Sequence, residues 1–244
     1  MKMKNKKSEQ IAKKEKHREQ LKLSKQRAIE PDLKRNEPFK PEKQKFLIYC
    51  EGENTERSYF EQFRFSNAKI VALGEGYHTV SLVERAYLLS QESEYDQVWC
   101  VFDKDDFHDF NEAIQLAEKY NFGVAYSNQA FEYWLILHFE DHQGGQMNRN
   151  DYYDKINKYL NEFGLQYDKN SKIVTEDIFN LLQTIVKEKT IVVENKRIKI
   201  SFSRQDIAKE RAKKIYNRLE SRNPAFEESS TTVFRLIEEL YKYQ

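Results

Sequence analysis

The alternation of short apolar runs with amphipathic segments between residues 46 and 139 is the feature that most constrains the fold of this chain. The apolar runs have the length of buried strands, and the segments between them repeat apolar residues at helical spacing. Strands that alternate with helices predict parallel βαβ units, so we expect an α/β protein with a mostly parallel sheet flanked by helices. The predicted strands are Phe46–Cys50, Lys69–Leu73, Gln97–Phe102 and Gly123–Ser127.

Helical patterns fill most of the remaining globular chain. Ser81 and Glu84 form a Ser-x-x-Glu pattern, which predicts a capping box at the start of one helix. The run from Thr190 to Phe202 fits either a β-hairpin or a continued helix. The predicted helices are Glu56–Phe65, Ser81–Gln91, Phe110–Tyr120, Ala130–Phe139, Tyr152–Phe163, Glu176–Lys187, Ser203–Leu219 and Thr232–Tyr243.

Charge and proline content divide the chain into three predicted parts. Residues 1–44 form a basic arm, flexible or helical, that ends in a linker holding three of the four prolines. Residues 45–140 form the α/β core that contains the predicted sheet, and residues 141–244 form a mainly helical elaboration packed on it. Residues 1–43 carry 12 Lys and 3 Arg against 7 Asp or Glu, a net charge of +8, so the remainder is −7 in a chain of net +1. Such an arm either attracts a polyanion or serves as a solubilising tail.

The two cysteines and the apolar runs bear on the cellular compartment. Cys50 and Cys100 both lie inside apolar runs, which indicates buried, reduced thiols. No apolar run approaches the roughly 18 residues of a membrane span, and the segment MKMKNKKSEQ lacks the apolar stretch of a signal peptide. We therefore expect a cytoplasmic protein without a membrane partner.

Acidic residues follow two of the predicted strands. Glu51 comes directly after Phe46–Cys50, and Asp103 and Asp105 come directly after Gln97–Phe102. Ligands of open α/β sheets bind beyond the carboxyl ends of the strands, so neighbouring strands would bring these acids together. Asp103 and Asp105 would share a side, because alternate residues of an extended chain do so. Carboxylate oxygens are ligands that suit Mg²⁺ or Mn²⁺. The sequence therefore predicts a metal site, although the acids could also cap helices or lie in a solvated turn.

Glu132 is a fourth candidate ligand. Asn128 is a plausible N-cap for the helix after the fourth strand, and Glu132 then lies in its first turn, where a carboxylate favours the helix dipole. That structural role would by itself explain the residue. The preceding strand ends at the same sheet edge, so a role as a metal ligand stays open.

A basic helix near the C-terminus is the candidate nucleic-acid surface of the globular part. Its apolar residues recur at helical spacing and are expected to face the core. Its basic flank could contact a phosphate backbone or supply a catalytic lysine (Lys213 or Lys214), and a solvated helix face is the alternative. The basic residues are Arg204, Lys209, Arg211, Lys213, Lys214 and Arg218.

The combination of Glu51-Gly52 with Asp103-x-Asp105 resembles the Toprim fold of topoisomerases, bacterial primases and the nucleases of the overcoming-lysogenization-defect group. Four stretches in order resemble the RloB family, which carries a Toprim-like domain. They are IYCEGENTERSYFEQF, VWCVFDKDDF, AYSNQAFEYWLILHFE and NPAFEESSTTVFRLIEEL. The resemblance implies that Glu51 acts as a metal ligand or general acid/base, and that Asp103 and Asp105 bind the metal. It also implies a link to restriction and anti-phage defence, with an ATPase partner protein.

These features lead to a first functional hypothesis and its alternatives. We expect a Mg²⁺- or Mn²⁺-dependent nuclease that acts on DNA or RNA, transfer RNA included. The alternative is a non-catalytic Toprim module that binds nucleic acid or a partner protein. Nucleotidyl transfer, as in primases, is disfavoured because no Gly-x-x-x-x-Gly-Lys-Ser/Thr loop occurs, and any ATP-driven step would need a separate protein.

Overall fold

A computed structural model describes residues 12–22, 43–105, 108–142, 147, 149–193, 196–219, 223–227 and 229–244. The chain forms two compact units, Met1–Pro41 and Glu42–Gln244. In the first unit residues 12–22 form helix α1, and all its side chains are exposed, as expected for a solvated helix. The predicted proline-containing linker lies outside the described residues.

The second unit contains the remaining helices and strands. They follow in the order β1 (Gln44–Cys50), α2 (Thr55–Phe60), β2 (Ala68–Gly74), α3 (Thr79–Glu92), β3 (Gln97–Asp103), α4 (Phe110–Lys119), β4 (Gly123–Asn128), α5 (Glu132–Leu137), α6 (Arg149–Leu160), α7 (Glu176–Leu182), β5 (Ile185–Val193), β6 (Lys196–Ser203), α8 (Arg204–Tyr216), β7 (Ser230–Thr231) and α9 (Val233–Tyr241). Short 3₁₀ turns lie at Asn161–Phe163 and Pro224–Phe226.

Five strands form a mostly parallel sheet in the order β2-β1-β3-β4-β7. The first four are mutually parallel, and the two-residue strand β7 pairs antiparallel with β4. In the register of β1 and β3, Cys50 pairs with Val101, so both strands end at the same edge. The predicted α/β class with a mostly parallel sheet is confirmed, and a separate hairpin of β5 and β6 is added to it.

Both faces of the sheet are covered, as is usual for parallel strands. Leu47 and Tyr49 of β1 pack with residues of α3 and α4 in one apolar cluster. Phe46 and Ile48, which alternate with them, belong to a larger cluster on the other face. Residues of α2 and of α5 to α9 complete this second cluster, so the helical C-terminal elaboration shares a core with the sheet.

The end of helix α2 and the start of helix α3 differ from the sequence prediction. Helix α2 ends at Phe60 instead of Phe65. Helix α3 begins at Thr79, so the predicted capping box with Ser81 as N-cap is wrong. Ser81 lies in the first turn, where its hydroxyl donates to the His78 carbonyl at 2.7 Å and accepts the His78 N–H at 3.3 Å. His78 therefore lies just before the first residue of the helix, at the edge of the sheet.

The open question about the segment after α7 is answered in favour of a hairpin. Helix α7 ends at Leu182, so the helix predicted to continue to Lys187 is too long. Strand β5 begins at Ile185, directly after Thr184. The run Thr184-Ile185-Val186 consists of β-branched residues, which favour strand over helix because their χ1 angles are restricted.

The burial of the two cysteines agrees with the prediction from their apolar surroundings. Cys50 and Cys100 are buried free thiols, and burial raises the pKa of both, so their reactivity as thiolates is suppressed. Among the described residues no helix has the length and apolar character needed to cross a membrane.

A buried glutamine connects helix α8 to the elements packed against it. The Gln205 side chain is fully buried, and its Oε1 accepts from the Tyr59 hydroxyl of α2 at 2.6 Å and from Gln183 Nε2 at 3.0 Å. His138 Nε2, just after α5, lies 3.3 Å from the same oxygen. One acceptor therefore satisfies polar groups from three neighbouring segments.

We predict that Gln205→Leu lowers the free energy of unfolding by about 2–4 kcal/mol, because buried donors would lose their acceptor. Urea unfolding followed by circular dichroism measures this change. The matched control is Gln115→Leu on the exposed face of α4, which should change stability by less than about 0.5 kcal/mol. Equal stabilities of the two variants would contradict the role of Gln205.

Candidate metal centre

An acidic cavity of about 340 Å³ lies where β1 and β3 end. This is the carboxyl edge of the parallel strands, where ligands of open α/β sheets bind. Six carboxylates line it, together with one histidine and one lysine. The lining residues are Glu51, Gly52, Glu53, Asn54, Thr55, Glu56, Gly76, His78, Asp103, Asp105, Glu132 and Lys172.

Glu51 is held in place by both neighbouring strands. Its backbone N–H donates to the Val101 carbonyl of β3 at 2.8 Å, which extends the β1–β3 ladder by one residue. Its Oε2 accepts the Asp103 N–H at 2.9 Å, and its Oε1 lies 2.6 Å from His78 Nδ1. Burial raises the pKa of the Glu51 carboxyl, while the bonds to His78 and Asp103 oppose that rise.

Asp103 is the last residue of β3 and is 6% exposed. Burial raises the pKa of its carboxyl well above the ordinary value, and the negative charges of Glu56, Glu51 and Glu132 raise it further. A nearby cation would reverse this effect, since it favours the ionised form of every carboxylate around it.

Asp105 lines the same cavity but does not follow Asp103 in an extended chain. Its φ is +36°, so the backbone turns immediately after β3. The expectation that the two aspartates share one side because the chain is extended is therefore wrong, although both face the cavity. A positive φ is uncommon for residues other than glycine, and aspartate is among those that tolerate it.

Glu56 is more deeply buried than its place at a helix start suggests. Burial raises the pKa of its carboxyl to about 7, and the charges of Glu132 and Glu51 add to the rise. Gly52 leaves room for this carboxyl, because a Cβ at Gly52 would lie 2.0 Å from Glu56 Oε2. Gly74 at the end of β2 allows a similarly close approach, since a Cβ there would lie 2.2 Å from the Gly52 carbonyl oxygen.

Glu132 is the first residue of α5 and is 4% exposed. Its Oε1 accepts from the Tyr167 hydroxyl at 3.1 Å, and that hydroxyl also lies 2.8 Å from Thr55 Oγ1. The residue before the helix is Phe131, so the prediction of Asn128 as N-cap is wrong. Asn128 instead ends β4, and its Nδ2 donates to the Pro224 carbonyl at 3.0 Å.

Three cavity or supporting residues were missed by the sequence interpretation. His78 comes four residues after the end of β2, so the rule that selected Glu51, an acid directly after a strand, does not select it. Tyr167 and Lys172 come from the loop before α7, more than 110 residues after Thr55 in the chain. The Lys172 carbonyl accepts from the Thr55 hydroxyl at 3.0 Å. No local pattern marks such distant loop residues.

The donor set suits a hard divalent cation. Carboxylate oxygens are the ligands that Mg²⁺ and Mn²⁺ prefer, and buried acids with raised pKa values gain from a nearby positive charge. Within the described part of the chain, however, no three His, Cys, Asp or Glu side chains are arranged to enclose an ion. Ligation by three or more of these side chains would therefore require some of the cavity's carboxylates to change position. Glu51, Asp103, Asp105 and Glu132 remain the predicted ligands.

The basic residues predicted to bind nucleic acid lie on or just after α8, and most have partners within the protein. Lys209, Lys213 and Lys214 form ion pairs with Asp206, Glu238 and Asp141. Arg211 donates to the Leu137 carbonyl at 2.7 Å. Arg204 lies over the rings of Phe139 and Phe163, and Arg218 is exposed just after the helix. Nucleic-acid binding by this set stays a prediction.

Fold and site together define an α/β protein with a carboxylate-lined cavity at the carboxyl edge of a parallel sheet. A family model described as RloB-like protein matches residues 46–240. The chain belongs to the RloB-like family. No curated protein and no solved structure matches it.

We predict that Asp103→Asn raises the melting temperature in EDTA, because it replaces a buried carboxyl, whose ionisation burial and its acidic neighbours oppose, with a neutral amide. Millimolar Mg²⁺ or Mn²⁺ should stabilise the wild type but not this variant. A cation at 100 times its dissociation constant would stabilise the native state by about 2.7 kcal/mol. Differential scanning fluorimetry measures both effects.

Asp154→Asn on the exposed face of α6 is the matched control and should respond to cations as the wild type does. The same response to cations in wild type and Asp103→Asn, or none in either, would argue against a metal site in the cavity.

Proposed function

We propose that this protein is a Mg²⁺- or Mn²⁺-dependent nuclease whose active centre is the acidic cavity. The observation that carries the proposal is the convergence of four buried carboxylates, those of Glu51, Glu56, Asp103 and Glu132, in one cavity. Like charges repel one another and lose solvation when buried, and the pKa values of Glu51, Glu56 and Asp103 stay raised despite the hydrogen bonds within the protein. A purely structural role would therefore leave part of this cost uncompensated. A cation together with an anionic substrate supplies such compensation.

The resemblance to Toprim proteins supports the same assignment. In that comparison Glu51 would be a metal ligand or a general acid/base, and Asp103 and Asp105 would hold the metal. Glu132, fixed by the Tyr167 hydroxyl, would be a further ligand. A divalent cation bound here would neutralise charge on the scissile phosphate and lower the pKa of a water molecule.

The chain's own residues have separate roles in this proposal. Glu51 is kept in one orientation by the Asp103 N–H and by His78. The imidazole of His78 is 54% exposed at 2.6 Å from Glu51 Oε1, so it can pass a proton between that carboxylate and solvent. Lys172 is the lysine lining the cavity, and its charge would help to hold a substrate phosphate.

A non-catalytic binding module is the second candidate function. It is favoured by the finding that no three acidic or histidine side chains among the described residues are arranged to enclose an ion. In this case the cavity would take part in binding nucleic acid or a partner protein, without cleavage. Loss of the Asp103 carboxylate would then leave binding unchanged.

The RloB resemblance also suggests a biological setting. We propose that the protein acts in anti-phage defence or restriction in the cytoplasm, with an ATPase from the same locus as its partner. The sequence contains no Gly-x-x-x-x-Gly-Lys-Ser/Thr loop, so ATP hydrolysis would come from that partner.

Cleavage assays with purified protein test the nuclease directly. We predict that the wild type, in Mg²⁺ or Mn²⁺, cleaves at least one member of a panel of plasmid DNA, single-stranded DNA and transfer RNA. Asp103→Asn should reduce the rate by more than about 100-fold, because it removes a predicted metal ligand. Asp154→Asn should retain the wild-type rate.

The outcomes separate the two candidate functions. Cleavage that vanishes in Asp103→Asn supports the nuclease and identifies its substrate class. Wild-type binding without cleavage in any metal, unchanged by Asp103→Asn and by the presence of the ATPase partner, would reject the nuclease in favour of the binding module.

A further inference from the structure

The hairpin of β5 and β6 stands apart from the five-stranded sheet and is largely solvent-exposed. The two strands pair only with each other, and most of their described residues are exposed on both faces. At the base of the hairpin, the Arg204 N–H donates to the Thr184 carbonyl at 2.9 Å. Strand β6 continues directly into α8, which is anchored in the core through Gln205. We call the described residues 185–193 and 196–203 the ribbon.

The ribbon concentrates positive charge on a body that is otherwise acidic. Its described residues include five cations and one carboxylate, whereas the chain after Lys43 is net −7. The carboxylate, Glu188, pairs with Lys199 at 2.7 Å. Among the described residues Lys189, Lys196 and Arg197 have no ion-pair partner. The exposed cations are Lys187, Lys189, Lys196, Arg197 and Lys199.

Both faces of the ribbon carry this charge. Directly paired residues of an antiparallel ladder lie on the same face. The pairs Lys189–Ile200 and Ile191–Ile198 therefore share one face, and the pairs Thr190–Lys199 and Val192–Arg197 share the other. Ile191, Ile198 and Ile200 lie together on the first face, and Val192 lies beside Arg197 and Lys199 on the second. Ile191 and Ile200 are only partly exposed, and both faces combine apolar side chains with cations, whereas the core of a protein interface is depleted of charge.

We propose that the ribbon is a DNA-binding arm that enters the major groove of duplex DNA. Two strands about 4.8 Å apart, with their side chains, fit a groove about 12 Å wide. Phosphates line both sides of that groove, which suits a ribbon with cations on both faces. The corresponding groove of an RNA duplex is deep and narrow, so the shape favours DNA. The inference rests on the proposed function in one respect: if the protein is a nuclease, the bound duplex is its substrate.

Fluorescence anisotropy with a labelled duplex DNA of about 24 base pairs tests the arm. EDTA is present throughout, so neither metal binding nor cleavage contributes. The test variant combines Lys189→Gln, Lys196→Gln and Arg197→Gln. The control combines Lys69→Gln, Lys119→Gln and Lys158→Gln, which removes the same charge from exposed positions outside the ribbon. A third protein with Lys189→Arg, Lys196→Arg and Arg197→Lys keeps the ribbon's charge.

We predict that the ribbon variant binds duplex DNA at least about tenfold more weakly than the control at low salt. The slope of log K against log salt should fall by about 0.9 for each phosphate that the ribbon no longer neutralises. The charge-preserving variant should bind like the wild type. The wild type should prefer duplex DNA to an RNA duplex and to single-stranded DNA of the same sequence.

Equal affinity and equal salt slope for the ribbon variant and the control would overturn the proposal. So would an absence of wild-type binding, or wild-type binding to RNA duplex or single strands that matches or exceeds binding to duplex DNA. Ribbon-dependent binding without cleavage in metal would reject the nuclease and retain the arm. If the ribbon variant cleaves DNA and binds it with wild-type affinity, the nuclease is retained and the arm is rejected.

Discussion

The hydrogen bond from the Asp103 N–H to Glu51 Oε2 is the interaction on which the rest of the site depends. In a regular parallel ladder this N–H would donate to a main-chain carbonyl of the neighbouring strand. Here the Glu51 carboxylate takes that place at the end of the ladder, after its own N–H has bonded to the Val101 carbonyl. The side chain is thereby fixed against the last residue of β3, and sheet pairing sets the distance between the first two acids.

Burial raises the free-energy cost of holding these carboxylates close together. Glu56 and Glu132 converge on the same cavity from the starts of α2 and α5, and the pKa values of Glu51, Glu56 and Asp103 are all raised. Protonation offers one way to relieve the repulsion, and a bound cation offers another. The second keeps the carboxylates ionised and able to bind, which is why the proposed function follows from the electrostatics of this cavity.

The fold was largely predictable because its strands are short apolar runs with acids at their ends. Glu51 and Asp103 follow from that pattern and from the parallel pairing of β1 and β3. Glu56 was harder to assign, because a carboxylate at a helix start already has an adequate role in capping. Asp105 does follow β3, but the extended conformation expected for it is wrong, because its φ is positive.

Other features depend on contacts that no local pattern encodes. Tyr167 and Lys172 reach the cavity from a loop that is distant in sequence, and their placement depends on how the C-terminal helices pack on the sheet. The positive charge of α8 suggested a binding surface, yet ion pairs within the protein engage Lys209, Lys213 and Lys214. Sequence gives the charge of a residue but not its partner.

The most direct test of the central claim is an anomalous difference map from crystals grown with millimolar Mn²⁺. We predict a peak inside the cavity, roughly 2.1 Å from carboxylate oxygens of Asp103 and at least one of its acidic neighbours, and no such peak in Asp103→Asn. Wild-type crystals with no peak in the cavity, or with Mn²⁺ bound only elsewhere, would contradict a metal site in the cavity.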